Sequence, residues 1–314
     1  MASFRVVVSD QVFPVVDIER ELLATIDAEL VVSDGTAAGL AAMGPDADAV
    51  LNTYLPIDAA LLERLPRCRI VARYGIGVDN IDLAAAAAAG TIVTNVPDYS
   101  VEEVATHTLA MILALVRRLG AADARVRAGG WGLGDLRPIR RLSGLTFGLV
   151  GYGRIGRRVA APITALGGRI LVHDPYLATP PDGTTLVSLD DLLAESDVVS
   201  IHAPLTPETR SLFDAGRIAR MRAGSILVNT SRGGLVVLDA VLDSLRSGHL
   251  AGAGLDVFDP EPVDAGRLAG VPNLLVTPHM AYYSEQSIAE SQRKAATQIV
   301  KVLTGQAPDY PVNR

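Results

Sequence analysis

Short runs of β-branched and aliphatic residues alternate with amphipathic stretches along the chain. Phe4–Val8, Leu30–Val32, Ala49–Asn52, Arg69–Ala72 and Thr91–Thr94 have the length and composition of strands. Between them, Asp17–Ile26 and Asp58–Leu65 repeat apolar residues at helical spacing. Strands that alternate with helices predict parallel pairing with right-handed crossovers. One small α/β unit should therefore end near Asn95-Val96-Pro97. A long helix is predicted from Ser100 to about Arg118, opened by a capping box in Ser100-Val101-Glu102-Glu103. Ala128–Arg141, rich in glycine, reads as an irregular arm. A second series starts at Leu145, with strands expected at Thr146–Val150, Arg169–His173, Val198–Ile201, Ser225–Asn229, Gly252–Leu255 and Leu274–Thr277. A last helix, about Ser284–Thr304, comes after both series and could return to the first unit. The expected fold class is α/β, with two doubly wound parallel-sheet domains: residues 1–98 with 285–314, and residues 99–284.

Composition narrows the partners. The chain has 314 residues, 49% of them hydrophobic, which is ample for two cores. A net charge of -7 argues against nucleic acid as the main partner, because phosphate binding needs a basic surface. Asp10 follows the first apolar run at once, so the N-terminus reads as a strand and not a signal peptide. The apolar run Val104–Val116 is too short to span a bilayer and contains His107. The single cysteine, Cys68, permits no internal disulfide and fits a reducing cytoplasm, where it reads as a small buried hydrophobe.

The sharpest local signal is an apolar strand running into Gly151-Tyr152-Gly153-Arg154-Ile155-Gly156, followed by an amphipathic helix. Gly151 permits a tight turn, Gly153 lets a pyrophosphate approach the backbone, and Gly156 lets the helix sit close to the sheet. The helix N-terminus offers amides and a positive dipole end to phosphates. The next strand ends in Asp174, whose carboxylate can accept from both adenosine ribose hydroxyls and would repel a 2′-phosphate. The pattern thus predicts NAD(H) in preference to NADP. A plain glycine turn and a simple turn aspartate are the bland alternatives.

Four further segments occur in a fixed order around this loop: Arg73-Tyr-Gly-Ile-Gly-Val-Asp-Asn-Ile-Asp82, Asn229-Thr-Ser-Arg-Gly-Gly234, Leu255-Asp-Val-Phe-Asp-Pro-Glu-Pro262 and Thr277-Pro-His279. Together they resemble the D-isomer-specific 2-hydroxyacid dehydrogenases over nearly the whole chain. The run Thr277–Gln286, with Asp174-Pro-Tyr176, is most similar to the branch that includes the C-terminal-binding proteins. The resemblance implies a Rossmann-type cofactor domain and a flavodoxin-like substrate domain with a cleft between them, and a homodimer formed through the cofactor domain. It implies that Arg232 binds the substrate carboxylate and polarises the keto oxygen, that His279 is the acid–base group, and that Glu261 pairs with His279. Gly75, Ile76 and Gly77 would present amides to the carboxylate, with Arg73, Tyr74 and Tyr282 nearby. Asp256 would hold the nicotinamide carboxamide, while Pro204, Thr209 and Thr230 would line the cofactor together with Arg154 and Ile155.

These residue types suit hydride transfer to a ketone, which builds negative charge on oxygen. A guanidinium binds a carboxylate with fixed geometry and stays charged. An imidazole can give up a proton near neutral pH, and a carboxylate beside it favours the imidazolium. Each also has a structural reading, Arg232 at a strand end, Glu261 as one solvated charge near Asp259 and Asp264, and His279 in a loop. His107 and His202 read mainly as structural, His249 as a surface residue, and Trp131 as a packing or interface residue. No histidine spacing or cysteine cluster suggests a metal, and there is no GxSxG elbow for a serine nucleophile. Two departures stand out: Leu235-Val-Val-Leu238 lacks the acidic residue common after Leu-Val in the family, leaving Asp239 further on, and Tyr282 stands where C-terminal-binding proteins carry Trp. The function expected is a cytoplasmic oxidoreductase of small 2-keto and 2-hydroxy acids. The alternative is an NAD(H)-sensing, partner-recruiting protein with little turnover.

Overall fold

A computed structural model describes residues 3–313, and the chain divides into two compact units, Met1–Tyr99 with Ser284–Arg314 and Ser100–Tyr283. In the first unit the order is β1 (Phe4–Val8), α1 (Asp17–Ala24), β2 (Ala28–Val32), α2 (Ala37–Met43), β3 (Ala49–Asn52), α3 (Ala59–Leu62), β4 (Ile70–Arg73), α4 (Leu83–Ala88) and β5 (Ile92–Thr94). Among the described residues these strands form one sheet in the order β2-β1-β3-β4-β5, all parallel. Chain order reverses between β1 and β3, so their carboxyl ends make a topological switch point. β3 and β4 are buried along their whole length, which is why they read as unbroken apolar runs. Three short helices are held by side-chain caps: Thr36 accepts from Gly39 N, Asp58 from Leu61 N and Asp82 from Ala85 N. The predicted helix through Leu65 is shorter, because it unwinds into i→i+3 bonds (Arg64 to Leu61, Leu65 to Leu62) ahead of Pro66.

The second unit begins with α5 (Val101–Val116) and α6 (Leu119–Arg127). It continues through β6 (Thr146–Val150), α7 (Arg154–Ala165), β7 (Arg169–His173), β8 (Thr184–Leu186), α8 (Leu189–Glu195), β9 (Val198–Ile201), α9 (Ala215–Arg220), β10 (Ser225–Asn229), α10 (Leu238–Arg246), β11 (Leu250–Leu255), α11 (Ala265–Leu268) and β12 (Leu274–Val276). The strands pair in parallel in the order β12-β11-β10-β9-β6-β7-β8. Alternation along β6 serves both layers. Phe147 and Leu149 enter one core with α5 and α7, and Val150 enters the other with α8, α9 and α10. Here the order reverses at β6, between β7 and β9, and the glycine turn leaves the sheet at that point. The closing helix, α12 (Glu285–Leu303), belongs to the first unit.

One cap expectation is corrected. Ser100 makes no side-chain cap bond, because its ψ of 22° is not the extended backbone that aims a cap hydroxyl at the following amides. The capping box lies instead at Ser284, where Ser284 and Ser287 exchange side-chain and backbone bonds, each 2.9 Å. At the departure after Arg232, Val237 stands at the α10 N-cap without a side-chain bond, and Asp239 supplies the acidic residue of the first turn. Among the described residues no single helix is long and apolar enough to cross a membrane; α5 and α6 pass that test only together, bent by 59°.

Candidate active site

The glycine turn is built from close approaches. Gly151 sits at φ +94°, a region that disfavours side chains, and a methyl group on it would lie 2.7 Å from the His202 carbonyl oxygen. A methyl on Gly156 would lie 2.5 Å from the Gly151 carbonyl oxygen, so α7 packs directly on the turn. Around Gly153 there is only open space within 4 Å, and it caps α7 with no side-chain bond. The helix amides therefore open onto a cradle that a Cβ would begin to fill. Asp174 spans the turn: Oδ2 accepts from Tyr152 N at 2.8 Å and Oδ1 from Tyr176 N at 3.0 Å. Each of its oxygens keeps further lone-pair capacity. This donor and acceptor set fits the pyrophosphate and ribose of a dinucleotide.

Around the turn, Arg154 is exposed and Ile155 packs on the core. The hydroxyl of Thr209 donates to Pro204 O at 2.7 Å and accepts from Thr206 N at 2.8 Å, closing the segment after β9. Thr230 pairs with Thr108 of α5 at 2.8 Å. Burial pushes the His202 imidazole down to about 4, so it is neutral, with Nε2 3.0 Å from Ser200 Oγ. His249 is half-buried, not a surface residue, and contacts Ile218 O at 3.1 Å.

The acid–base candidates meet on two loops at the carboxyl ends of β11 and β12. His279 Nδ1 is 2.8 Å from Glu261 Oε2, and the Phe258 amide donates to Glu261 Oε1 at 2.8 Å. Burial works against the charge on Glu261. The hydrogen bonds from His279 and Phe258, with the charges of His279 and Arg232, outweigh it and hold the carboxyl below the usual glutamate range. Arg232 follows β10 in a turn fixed by Asn229, whose Nδ2 donates to Arg232 O at 2.8 Å and whose Oδ1 accepts from Ser231 N at 3.0 Å. A methyl on Gly233 would lie 2.0 Å from the Phe258 carbonyl carbon, so a glycine there lets the Arg232 turn press on the Glu261 loop. The Tyr282 ring stands edge-on to His279, with centroids 6.1 Å apart.

Two residues expected to face a ligand are buried. Asp256 is fully buried. Its Oδ1 accepts from Thr277 Oγ1 at 2.5 Å and Met280 N at 2.9 Å, and its Oδ2 from Ala281 N at 3.0 Å. The loop that carries His279 wraps this carboxylate, and Asp256 holds that loop in place. Tyr74 is 2% exposed, and its hydroxyl donates to Glu19 at 2.7 Å, so the ring is an anchor and not a substrate contact. In that first-unit cluster Gln292 Nε2 also donates to Glu19, at 3.0 Å, and Ser291 Oγ donates to Tyr74 O. Burial raises the Glu19 carboxyl despite these bonds. The loop anchored in this way carries Gly75, Ile76 and Gly77, held by Val96 N on Gly75 O at 3.0 Å and Asn95 Nδ2 on Ile76 O at 2.7 Å. The Arg73 guanidinium folds back over Gly75. Asp10, given no site role by the sequence, accepts from the amides of Thr53, Tyr54 and Leu55 and fixes the loop after β3. Among the described residues, no group of three or more His, Cys, Asp or Glu side chains gathers as metal ligands would.

Residues 109–281 match the model of the D-isomer specific 2-hydroxyacid dehydrogenase NAD binding domain. D-3-phosphoglycerate dehydrogenase of Mycobacterium leprae is 42% identical over 266 residues, 83% of this chain and 49% of that protein. Glyoxylate reductase of Korarchaeum cryptofilum is 38% identical, over 86% of this chain and 83% of its own length. D-lactate dehydrogenase from Aquifex aeolicus, solved with NAD and lactic acid, superposes with a TM-score of 0.86 at 32% identity, covering 99% of each chain. The chain spans about half the length of the first curated relatives it matches. These relatives are phosphoglycerate dehydrogenases and glyoxylate reductases rather than C-terminal-binding proteins, which corrects the branch suggested by the Thr277–Gln286 run.

Proposed function

Because the chain belongs to the D-isomer-specific 2-hydroxyacid dehydrogenase family, we propose that it reduces a small 2-keto acid to the D-2-hydroxy acid with NADH, reversibly. The observation that carries the reading is the 2.8 Å contact between His279 and Glu261, with the Arg232 charge acting on the same carboxylate, in the unit that holds the glycine turn. A nicotinamide bound at that turn would supply the hydride to the carbonyl carbon. Arg232 would hold the substrate carboxylate and stabilise charge growing on the keto oxygen. Nδ1 of His279 faces Glu261, so Nε2 is the nitrogen from which a proton reaches that oxygen, and Glu261 keeps the imidazolium oriented.

Asp174 supports NAD over NADP, since a 2′-phosphate would meet a fixed carboxylate. Trp131, 85% exposed, and the exposed Leu119, Val126 and Leu133 support a homodimer formed through the arm of the second unit. The test is NADH oxidation with glyoxylate, hydroxypyruvate and 3-phosphohydroxypyruvate. Turnover with at least one, abolished in His279→Ala, is expected; NADH binding with no turnover on any would overturn the proposal.

A further inference from the structure

The network behind His279 extends to a residue on α5 to which sequence and family resemblance give no part in the reaction. His107 Nε2 lies 3.0 Å from Thr277 Oγ1. Thr277 has one hydroxyl proton, and it is directed to Asp256 Oδ1 at 2.5 Å. The hydroxyl must therefore accept from His107, which fixes the proton of His107 on Nε2. Asp256 in turn gathers the Met280 and Ala281 amides, while its own carbonyl accepts from His279 N at 2.7 Å. The Thr277–Ala281 loop thus wraps one buried carboxylate from both sides of His279.

His279 sits at φ +53°. A non-glycine residue persists in that region only where its surroundings over-determine it. The two neighbouring amides on Asp256 provide part of that constraint. The His107–Thr277 pair sets the rotamer of the hydroxyl that completes the coordination of Asp256 Oδ1.

We propose that His107 is a positioning residue: through Thr277 and Asp256 it holds the His279 loop in the conformation that sets the imidazole on Glu261. This rests on the acid–base role proposed for His279. A carboxylate in a polar network left half-satisfied relaxes to other partners, so loss of His107 should loosen the loop without touching the glycine turn, which lies on a different strand end.

The test compares His107→Leu, Thr277→Val and His107→Gln, whose amide can still donate to Thr277. In wild type and each variant, kcat for glyoxylate or hydroxypyruvate, the NADH dissociation constant by fluorescence, and hydrogen exchange of a peptide covering residues 277–283 are measured. His107→Leu and Thr277→Val should each lower kcat by roughly 10–100-fold, the scale of a misplaced catalytic group. NADH affinity should hold, the peptide should exchange faster, and His107→Gln should recover most of both effects. The His107→Leu/Thr277→Val double variant should be no worse than either single one. Unchanged exchange in His107→Leu, or additive losses in the double variant, would overturn the proposal. If wild type turns over no keto acid, the functional reading falls by itself, while the exchange measurement still decides whether His107 orders the loop.

Discussion

Two glycines of one turn should fail in opposite ways when each gains a methyl group. At Gly153 the backbone has φ −73° and ψ −156°, and nothing lies within 4 Å of the added carbon. Gly153→Ala should leave the fold about as stable as wild type, because no neighbouring atom must move to admit the methyl. The methyl occupies the space in which a pyrophosphate would approach the α7 amides, so NADH should bind at least roughly ten-fold more weakly, about 1.4 kcal/mol. At Gly156 the methyl would lie 2.5 Å from the Gly151 carbonyl oxygen, about 1 Å inside van der Waals contact. Backbone on both sides must give. A helical alanine recovers about 0.5–1 kcal/mol of propensity, against about 1–3 kcal/mol for overpacking. The net loss should be about 1–2 kcal/mol, or roughly 2–8 °C in Tm for a unit of this size. Thermal unfolding without cofactor and fluorescence titration with NADH separate the two. A Gly153→Ala variant that melts early and binds normally, or a Gly156→Ala variant as stable as wild type, would refute the assignment of space to one glycine and packing to the other.

Other perturbations address the charges. Asp174→Ala should narrow the preference for NADH over NADPH, read as the ratio of kcat/KM with the two cofactors; an unchanged ratio would remove Asp174 from cofactor choice. Glu261 has a depressed carboxyl, so its support for the His279 pair is present above the ordinary glutamate value and is lost only as pH falls through the lower folded value. The acid limb of kcat/KM should accordingly lie below about 4.5, and Glu261→Gln should abolish that limb while lowering kcat roughly 10²-fold. Glu19 has the opposite sign: its raised carboxyl contributes stability below the ordinary glutamate value and loses it as pH rises through the higher folded value. Glu19→Gln should therefore gain on wild type in urea unfolding between about pH 4 and pH 7; a difference independent of pH would contradict the burial argument.

The fold was legible wherever burial imposes an apolar run. β1, β3, β6, β7, β9 and β10 begin and end where the sequence patterns do, because both faces of a parallel sheet are covered. β8, Thr184–Leu186, is a half-exposed edge with two threonines, and its pattern carries no such imprint. α6 buries none of its residues and shows no apolar face to find. α2 and α4 are too rich in alanine to display a polar side, although their caps Thr36 and Asp82 were there to be read. In the candidate site, the motif spacing brings Glu261 and His279 to one place. It does not show which side chains are enclosed, as Tyr74 and Asp256 are.

Four carboxylates make the physical reason plain. Asp10, Glu19, Asp256 and Glu261 are, as letters, interchangeable candidates for acid–base work. Their neighbours divide them. Asp10 collects three backbone amides and Asp256 two amides and a hydroxyl, so each serves as an internal cap for a loop that hydrogen bonding would otherwise leave unsatisfied. Glu19 meets a phenol and an amide in a buried layer, where burial raises its carboxyl and the side chain acts as an anchor. Glu261 bonds an imidazole directly within the field of a guanidinium, which keeps it charged, whereas Asp256 has the His107 ring 3.7 Å away and meets it through Thr277. Of the four, Glu261 is the carboxylate hydrogen-bonded directly to an imidazole next to a guanidinium, and for that reason the chemistry is assigned to the His279 loop and the other three carboxylates to holding loops in place.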